Sequence, residues 1–197
     1  MTIDRLNPET KIPGLEGITI GDFWAWAYSD ILTNTTRGMF AEFLVGAALR
    51  VIEYTRPLGW EDFDLSYYNW KIEVKASAYL QSWHQEALST IRFDIGERGS
   101  WDSDTNSWIS ERTRSADCYV FCLYFEQERS VANVLDTSRW EFYVLSTKQI
   151  NAEFGNQKSV GLRRIQDVTQ PVNFQQIRDS VELASTARKQ KLAWSTI

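Results

Sequence analysis

Asp64, Glu73 and Lys75 are the residues of this chain whose types and spacing could do chemistry. In Ile72-Glu73-Val74-Lys75-Ala76-Ser77 apolar and polar side chains alternate, and successive side chains of a strand point to opposite faces. Trp70, Ile72, Val74 and Ala76 therefore share one side, facing a core, while Lys71, Glu73, Lys75 and Ser77 share the other. The preceding run from Asp62 to Tyr68 alternates in the same way, and a tight turn centred on Tyr68-Asn69 pairs Asp64 with Glu73. The two carboxylates would then sit about 5 Å apart in a ladder, an unfavourable pairing unless one is protonated or both share a cation. Oxygen ligands of this kind suit Mg²⁺ or Mn²⁺, which bind through one or two carboxylates, keep several waters and accept phosphate oxygens. Two positions along the same face, the Lys75 ammonium would hold or polarise a water or a phosphate. A hairpin with a solvated polar face accounts for the same residues.

A helix is expected upstream, from Arg37 to about Ile52. Phe40, Phe43, Leu44, Ala47, Ala48 and Val51 recur at helical spacing. Glu42 lies almost opposite that stripe, among Gly38, Val45, Gly46 and Leu49, so the helix reads as apolar nearly all round and buried on both sides. A buried carboxylate needs a partner. A metal ion or Lys75 would supply one, and so would a structural ion pair with Arg37 or Arg50.

A buried helical glutamate, an aspartate opening a hairpin, and Glu-x-Lys on the next strand together resemble the PD-(D/E)xK nuclease superfamily. The resemblance covers about residues 36 to 81. It implies a restriction-endonuclease-like fold, an α/β mixed sheet flanked by helices. It also implies roles: Asp64 and Glu73 as metal ligands, the Val74 backbone carbonyl as a further ligand, Lys75 as the catalytic lysine and Glu42 as the helical carboxylate. Gln81 is similar in placement to a glutamine found downstream of the motif in some members. The motif proline is absent, since Phe63 precedes Asp64, and Asp62, which shares a face with Asp64, is a rival for the aspartate role.

The elements that would position these residues are legible in outline. Thr19-Ile20-Gly21-Asp22 resembles a capping box opening a helix from Phe23 to Leu32, and Arg56-Pro57-Leu58-Gly59 reads as a connecting turn. Ile91 to Ile95 alternates as a strand, expected to pair with an extended continuation of the hairpin over Ser77 to Trp83. Gly99 to Ser115 is polar and turn-rich and reads as a loop near substrate. Strands over Tyr119 to Phe125 and Trp140 to Leu145 precede helices at Thr147 to Phe154 and about Phe174 to Ala193. With 197 residues, 43% hydrophobic and 24% charged, one nuclease-like domain over 1–197 is expected. No stretch resembles a signal peptide or a membrane span, so the expected location is cytoplasmic. Cys118 and Cys122 stand four apart on a strand, too far to bridge, and read as buried free thiols. His84 is the single histidine, which disfavours a hydrolytic triad.

A net charge of −5 argues against a nucleic-acid partner, because phosphate affinity comes mostly from Lys and Arg. The cations are nonetheless clustered, with Arg92 near Arg98, Arg112 near Arg114, Arg163 beside Arg164, and Arg188 with Lys189 and Lys191. Arg112 and Arg114, with Ser77 and Gln81, are the candidate substrate contacts. The function expected is a Mg²⁺- or Mn²⁺-dependent DNA phosphodiester hydrolase. A homodimer is compatible with it. The alternative is a non-catalytic binding or assembly protein retaining a nuclease-like fold, and a third reading is a structural domain with a coincidental hairpin.

Overall fold

The computed structural model describes residues 5–52, 63–102 and 107–192, with 100–102, 107–111 and 187–192 described by backbone alone. In chain order the elements are α1 (Ile20–Tyr28), α2 (Asn34–Leu49), β1 (Leu65–Tyr67), β2 (Trp70–Ala78), β3 (Arg92–Asp94), β4 (Arg98–Asp102), β5 (Ser107–Thr113), β6 (Cys118–Tyr124), β7 (Trp140–Ser146), α3 (Thr147–Phe154), β8 (Ser159–Gly161), α4 (Leu162–Gln166) and α5 (Ile177–Leu192). Four strands form the main sheet in the order β1-β2-β6-β7. β6 runs parallel to β2 and antiparallel to β7, so the sheet is mixed. Every residue of β6 is buried, as its apolar run without charges requires of a central strand.

Alternation along β2 and β6 sorts two cores. Ile72, Val74, Cys118, Val120 and Cys122 face α2 and α5, where Ala41, Leu44, Val45, Leu49, Ile177 and Val181 complete one cluster. Tyr119, Phe121 and Leu123 face the other way, against β3, β8, α3 and α4, with Phe93, Ile95, Ile150, Val160 and Ile165. The molecule is thus mixed α/β, with helices on both faces of the sheet. No helix among the described residues is long and apolar enough to cross a membrane.

The capping box at the first helix forms as expected: Asp22 N–H donates to the Thr19 hydroxyl, and Thr19 N–H donates to the Asp22 carboxylate at 2.7 Å. Both cysteines are buried free thiols. Three expectations are corrected. β3 pairs with β8, not with the continuation of β2, which ends at Ala78. The segment expected as a loop over Gly99 to Ser115 contains a two-stranded ribbon, β4 with β5, whose register shifts between Arg98 and Ser100.

The third concerns α2. Its buried residues are Arg37, Ala41, Leu44, Val45, Gly46 and Leu49, while Phe43 is half exposed. The helix is therefore buried mainly on one side, and that side is rotated by about 100° from the expected stripe. Small residues explain the rotation. A Cβ at Gly46 would lie 2.8 Å from a methyl of Ile52, so the helix seats through its small face, which bulky aromatics could not enter. Phe40 packs instead against the Trp140 ring, 6.0 Å away. Glu42 consequently flanks the buried face rather than opposing it.

Candidate functional site

The hairpin folds in the expected register. Leu65, Ser66 and Tyr67 pair with Ile72, Lys71 and Trp70 around a two-residue turn, with Tyr68 in the left-handed region at φ 53°. Continued by one residue, that register sets Asp64 against Glu73, but regular pairing stops at Leu65. Asp64 N–H donates to the Ile72 carbonyl at 3.0 Å. Its carboxylate accepts the Val74 N–H at 2.7 Å. A side-chain oxygen thus occupies a position on the β2 edge that a neighbouring strand's carbonyl would fill, and Asp64 is anchored against the backbone of Val74. Asp62 lies outside the described residues, as does the turn expected at Arg56 to Gly59.

The polar face of β2 is not a solvated face. The Glu73 and Lys75 side chains are only 13% and 17% exposed, and the Lys75 ammonium donates to Glu73 Oε1 in an ion pair. Glu73 stands in register with Tyr119 and Lys75 with Phe121, both buried in the second core. Burial therefore raises the Glu73 pKa above the ordinary glutamate range, Lys75 opposes that rise, and the nearby Asp64 charge adds to it. The Tyr119 hydroxyl is pushed up in turn, by burial first and then by the Glu73 charge.

Glu42 is half-buried on α2. The thiol of Cys122, fully enclosed in the sheet, is raised well above the usual cysteine value by burial and further by the charges of Asp64 and Glu42. Ser77 continues the Glu73–Lys75 face and is buried.

The remaining candidates are placed elsewhere. Gln81 is 5% exposed and engaged at both ends of its amide: Oε1 accepts from Arg37 Nη1 at 3.1 Å, and Nε2 donates to the Ala78 carbonyl at 2.9 Å. Arg114 is likewise buried. Its guanidinium donates to Ile95 O just past β3 and to Asn151 Oδ1, Gly155 O and Gln157 O in and after α3, which uses four of its five N–H groups. A cation there complements the negative end of the helix dipole, a structural task. Arg112 is exposed, donating from Nε and Nη2 to the Glu97 carbonyl at 3.2 and 3.1 Å.

Beside the pair, Asp94 went unassigned in the sequence, and Arg98 was read there only as one of a cation pair with Arg92. Asp94 accepts from Arg98 Nη2 at 2.7 Å and from the Gly96 N–H at 2.8 Å. Arg98 acts electrostatically on Glu73, and Lys75 on Asp94. Their i,i+4 spacing is visible in the chain, but only the packing of β3 beside β2 brings them to the pair.

The donors fit Mg²⁺ or Mn²⁺ chemically. Asp64 and Glu73 are hard carboxylates that repel one another, and these ions need only one or two carboxylates when waters and phosphates complete the shell. Among the described residues no group of three or more His, Cys, Asp or Glu side chains is arranged to hold a metal ion. Comparison with protein-family models, with curated proteins and with solved structures finds no match.

Proposed function

We propose that the protein is a metal-dependent phosphodiester hydrolase acting on DNA, of the PD-(D/E)xK type, with a restriction-endonuclease-like fold. One observation carries the reading: an acid and a lysine two residues apart are buried together, next to an aspartate held at the hairpin edge, on a face whose β6 neighbours are apolar. A buried ion pair is at best weakly stabilising, and a carboxylate raised by burial and by a like charge is a mark of functional sites.

Asp64 and Glu73 would hold the ion, with the Val74 carbonyl and Glu42 as further candidates. The bound ion would supply a water of lowered pKa and neutralise charge on the phosphate. Asp64 is held in place by the Val74 N–H. Lys75, gripped by Glu73, keeps an ammonium where a phosphate oxygen or attacking water would sit, and the apolar flank of Tyr119 and Phe121 restricts bulk water around it.

The test is calorimetric titration with Mn²⁺, alone and with a short DNA duplex, of the protein and of Glu73→Ala. Binding to the protein that is lost in Glu73→Ala is the expected result, followed by Mg²⁺-dependent cleavage of the duplex. No binding in either setting removes the proposal. A second reading, a binding or assembly protein without catalysis, is favoured by the net charge of −5. It predicts DNA or protein binding indifferent to Mn²⁺.

pH adds a second check. Metal binding needs the Glu73 carboxylate charged, so Mn²⁺ affinity should climb as pH rises through the raised Glu73 pKa, above the ordinary 4.5. In metal-free protein the sign for stability is opposite. The folded state holds the Glu73 proton more tightly than the unfolded state, so this group's contribution is full below 4.5 and is lost as pH rises through the raised value. Thermal melts across that window with chelator present should show the decline, and a flat profile would mean that the Glu73 pKa is not raised.

A further inference from the structure

We infer that the open pocket beside the Glu73–Lys75 pair, between β3, the base of the β4–β5 ribbon and the segment joining α3 to β8, is a binding site for the DNA backbone. The pocket measures about 410 Å³ and its lining includes Arg92, Arg98, Arg112 and Lys158 against two acids, Asp94 and Glu97. Four cations against two acids stand out in a chain whose net charge is −5. Asp94 is already engaged, accepting from Arg98 and from Gly96 N–H, while Glu97 holds Arg112 through its backbone carbonyl. Among the described residues the Arg92 guanidinium has one hydrogen-bond partner, the neutral Ser159 hydroxyl, to which it donates at 3.0 Å. The Lys158 side chain is exposed, and its ammonium has no ion-pair or hydrogen-bond partner among the described residues.

Position decides the ligand. Arg92 and Asp94 of the pocket wall belong to β3, which packs beside β2, the strand that carries the proposed catalytic pair. The cations come from three separate chain segments and surround an opening much larger than one phosphate. Spaced cations of this kind suit successive phosphates of a polyanion, where each contact releases counterions and adds to affinity without reading sequence. The site rests on the nuclease reading for its choice of DNA. It also resolves the conflict between an acidic protein and a polyanionic substrate, because the charge that matters is local.

Equilibrium binding of a fluorescent DNA duplex, measured in chelator across a salt series, tests it without cleavage. Arg92→Ala and Lys158→Ala should each weaken binding roughly fivefold and reduce the slope of log affinity against log salt by about 1. Both side chains are exposed, so folding should be unaffected. Lys148→Ala, an exposed cation at the opposite end of α3, should change neither quantity. If the double variant Arg92→Ala/Lys158→Ala binds like the parent, the pocket is not the site, whether or not the parent cleaves DNA with Mg²⁺. If the pocket variants lose binding but the parent never cleaves with Mg²⁺ or Mn²⁺, the pocket stands and the hydrolase reading fails. A parent that binds no duplex at low salt overturns both.

Discussion

Lys75→Met should lower Mg²⁺-supported DNA cleavage by about a thousandfold, the loss typical of removing one preorganised electrostatic donor from a water-poor site. Methionine keeps most of the stem packed against Phe121 and removes only the charge. The difficulty is that Lys75 also holds Glu73, so lost cleavage alone would not distinguish chemistry from architecture. Stability supplies the distinction. Without the ammonium, Glu73 is a buried carboxylate whose charged neighbours among the described residues are Asp64 and Arg98, and its pKa, already raised, rises further. The single variant should therefore melt close to the parent at acidic pH, where Glu73 is neutral, and fall below it as pH rises. Adding Glu73→Gln removes the buried charge, and pairs replaced together are often neutral in stability. The double variant should recover the parent's melting temperature near neutral pH while remaining inactive. Recovery of both stability and cleavage would remove Glu73 as well as Lys75 from the mechanism.

What the sequence revealed about this site was whatever depends on short range. A two-residue turn and a period of two suffice to set Asp64 near Glu73, and the structure adds only that Asp64 turns its carboxylate to the Val74 N–H. The same alternation was silent about what covers the polar face. That face is buried because β3 and the apolar side of β6 close over it, a consequence of pairing between β3 and β8, which lie more than sixty residues apart in the chain. The α2 stripe misled for a related reason. Large apolar residues attract attention, yet the close seat at Gly46 selects the small face, and the neighbours that create that seat lie beyond the helix. The β4–β5 ribbon was hidden by composition, since polar residues between turns read as loop when the pairing itself supplies the order. Arg114 and Gln81 show the converse: residue types suited to phosphate or substrate contact whose polar groups are instead engaged with the chain's own amides and carbonyls.

Gln81 leads to the largest stability effect expected of a single substitution. Arg37, 4% exposed, donates from Nη1 to the Leu32 carbonyl at 2.8 Å and to Gln81 Oε1, and from Nη2 to Asn34 Oδ1 at 2.5 Å. Its Nε finds no acceptor among the described residues, and burial lowers its pKa, so the charge is held against neutral dipoles. These bonds tie the first turn of α2 to the segment just past the end of β2, whose backbone Arg129 grips from the other side at the Gln81 carbonyl, 2.6 Å away. Arg37→Met would leave the Leu32 carbonyl and the Gln81 amide oxygen without that donor in a buried setting. Each such loss costs about 1–3 kcal/mol, offset by relief from burying the guanidinium. The net should be about 3 kcal/mol, a fall of roughly 5–10 °C in melting temperature. A variant that melts at or above the parent would show that desolvation of the guanidinium outweighs its bonds. The functional consequence follows from the geometry, because the Arg37–Gln81 bond ties the helix that carries Glu42 to the segment that follows the strand carrying Glu73 and Lys75. Loosening it should reduce cleavage by far less than Lys75→Met, while the salt slope of duplex binding, set by the exposed cations beyond β3, stays unchanged.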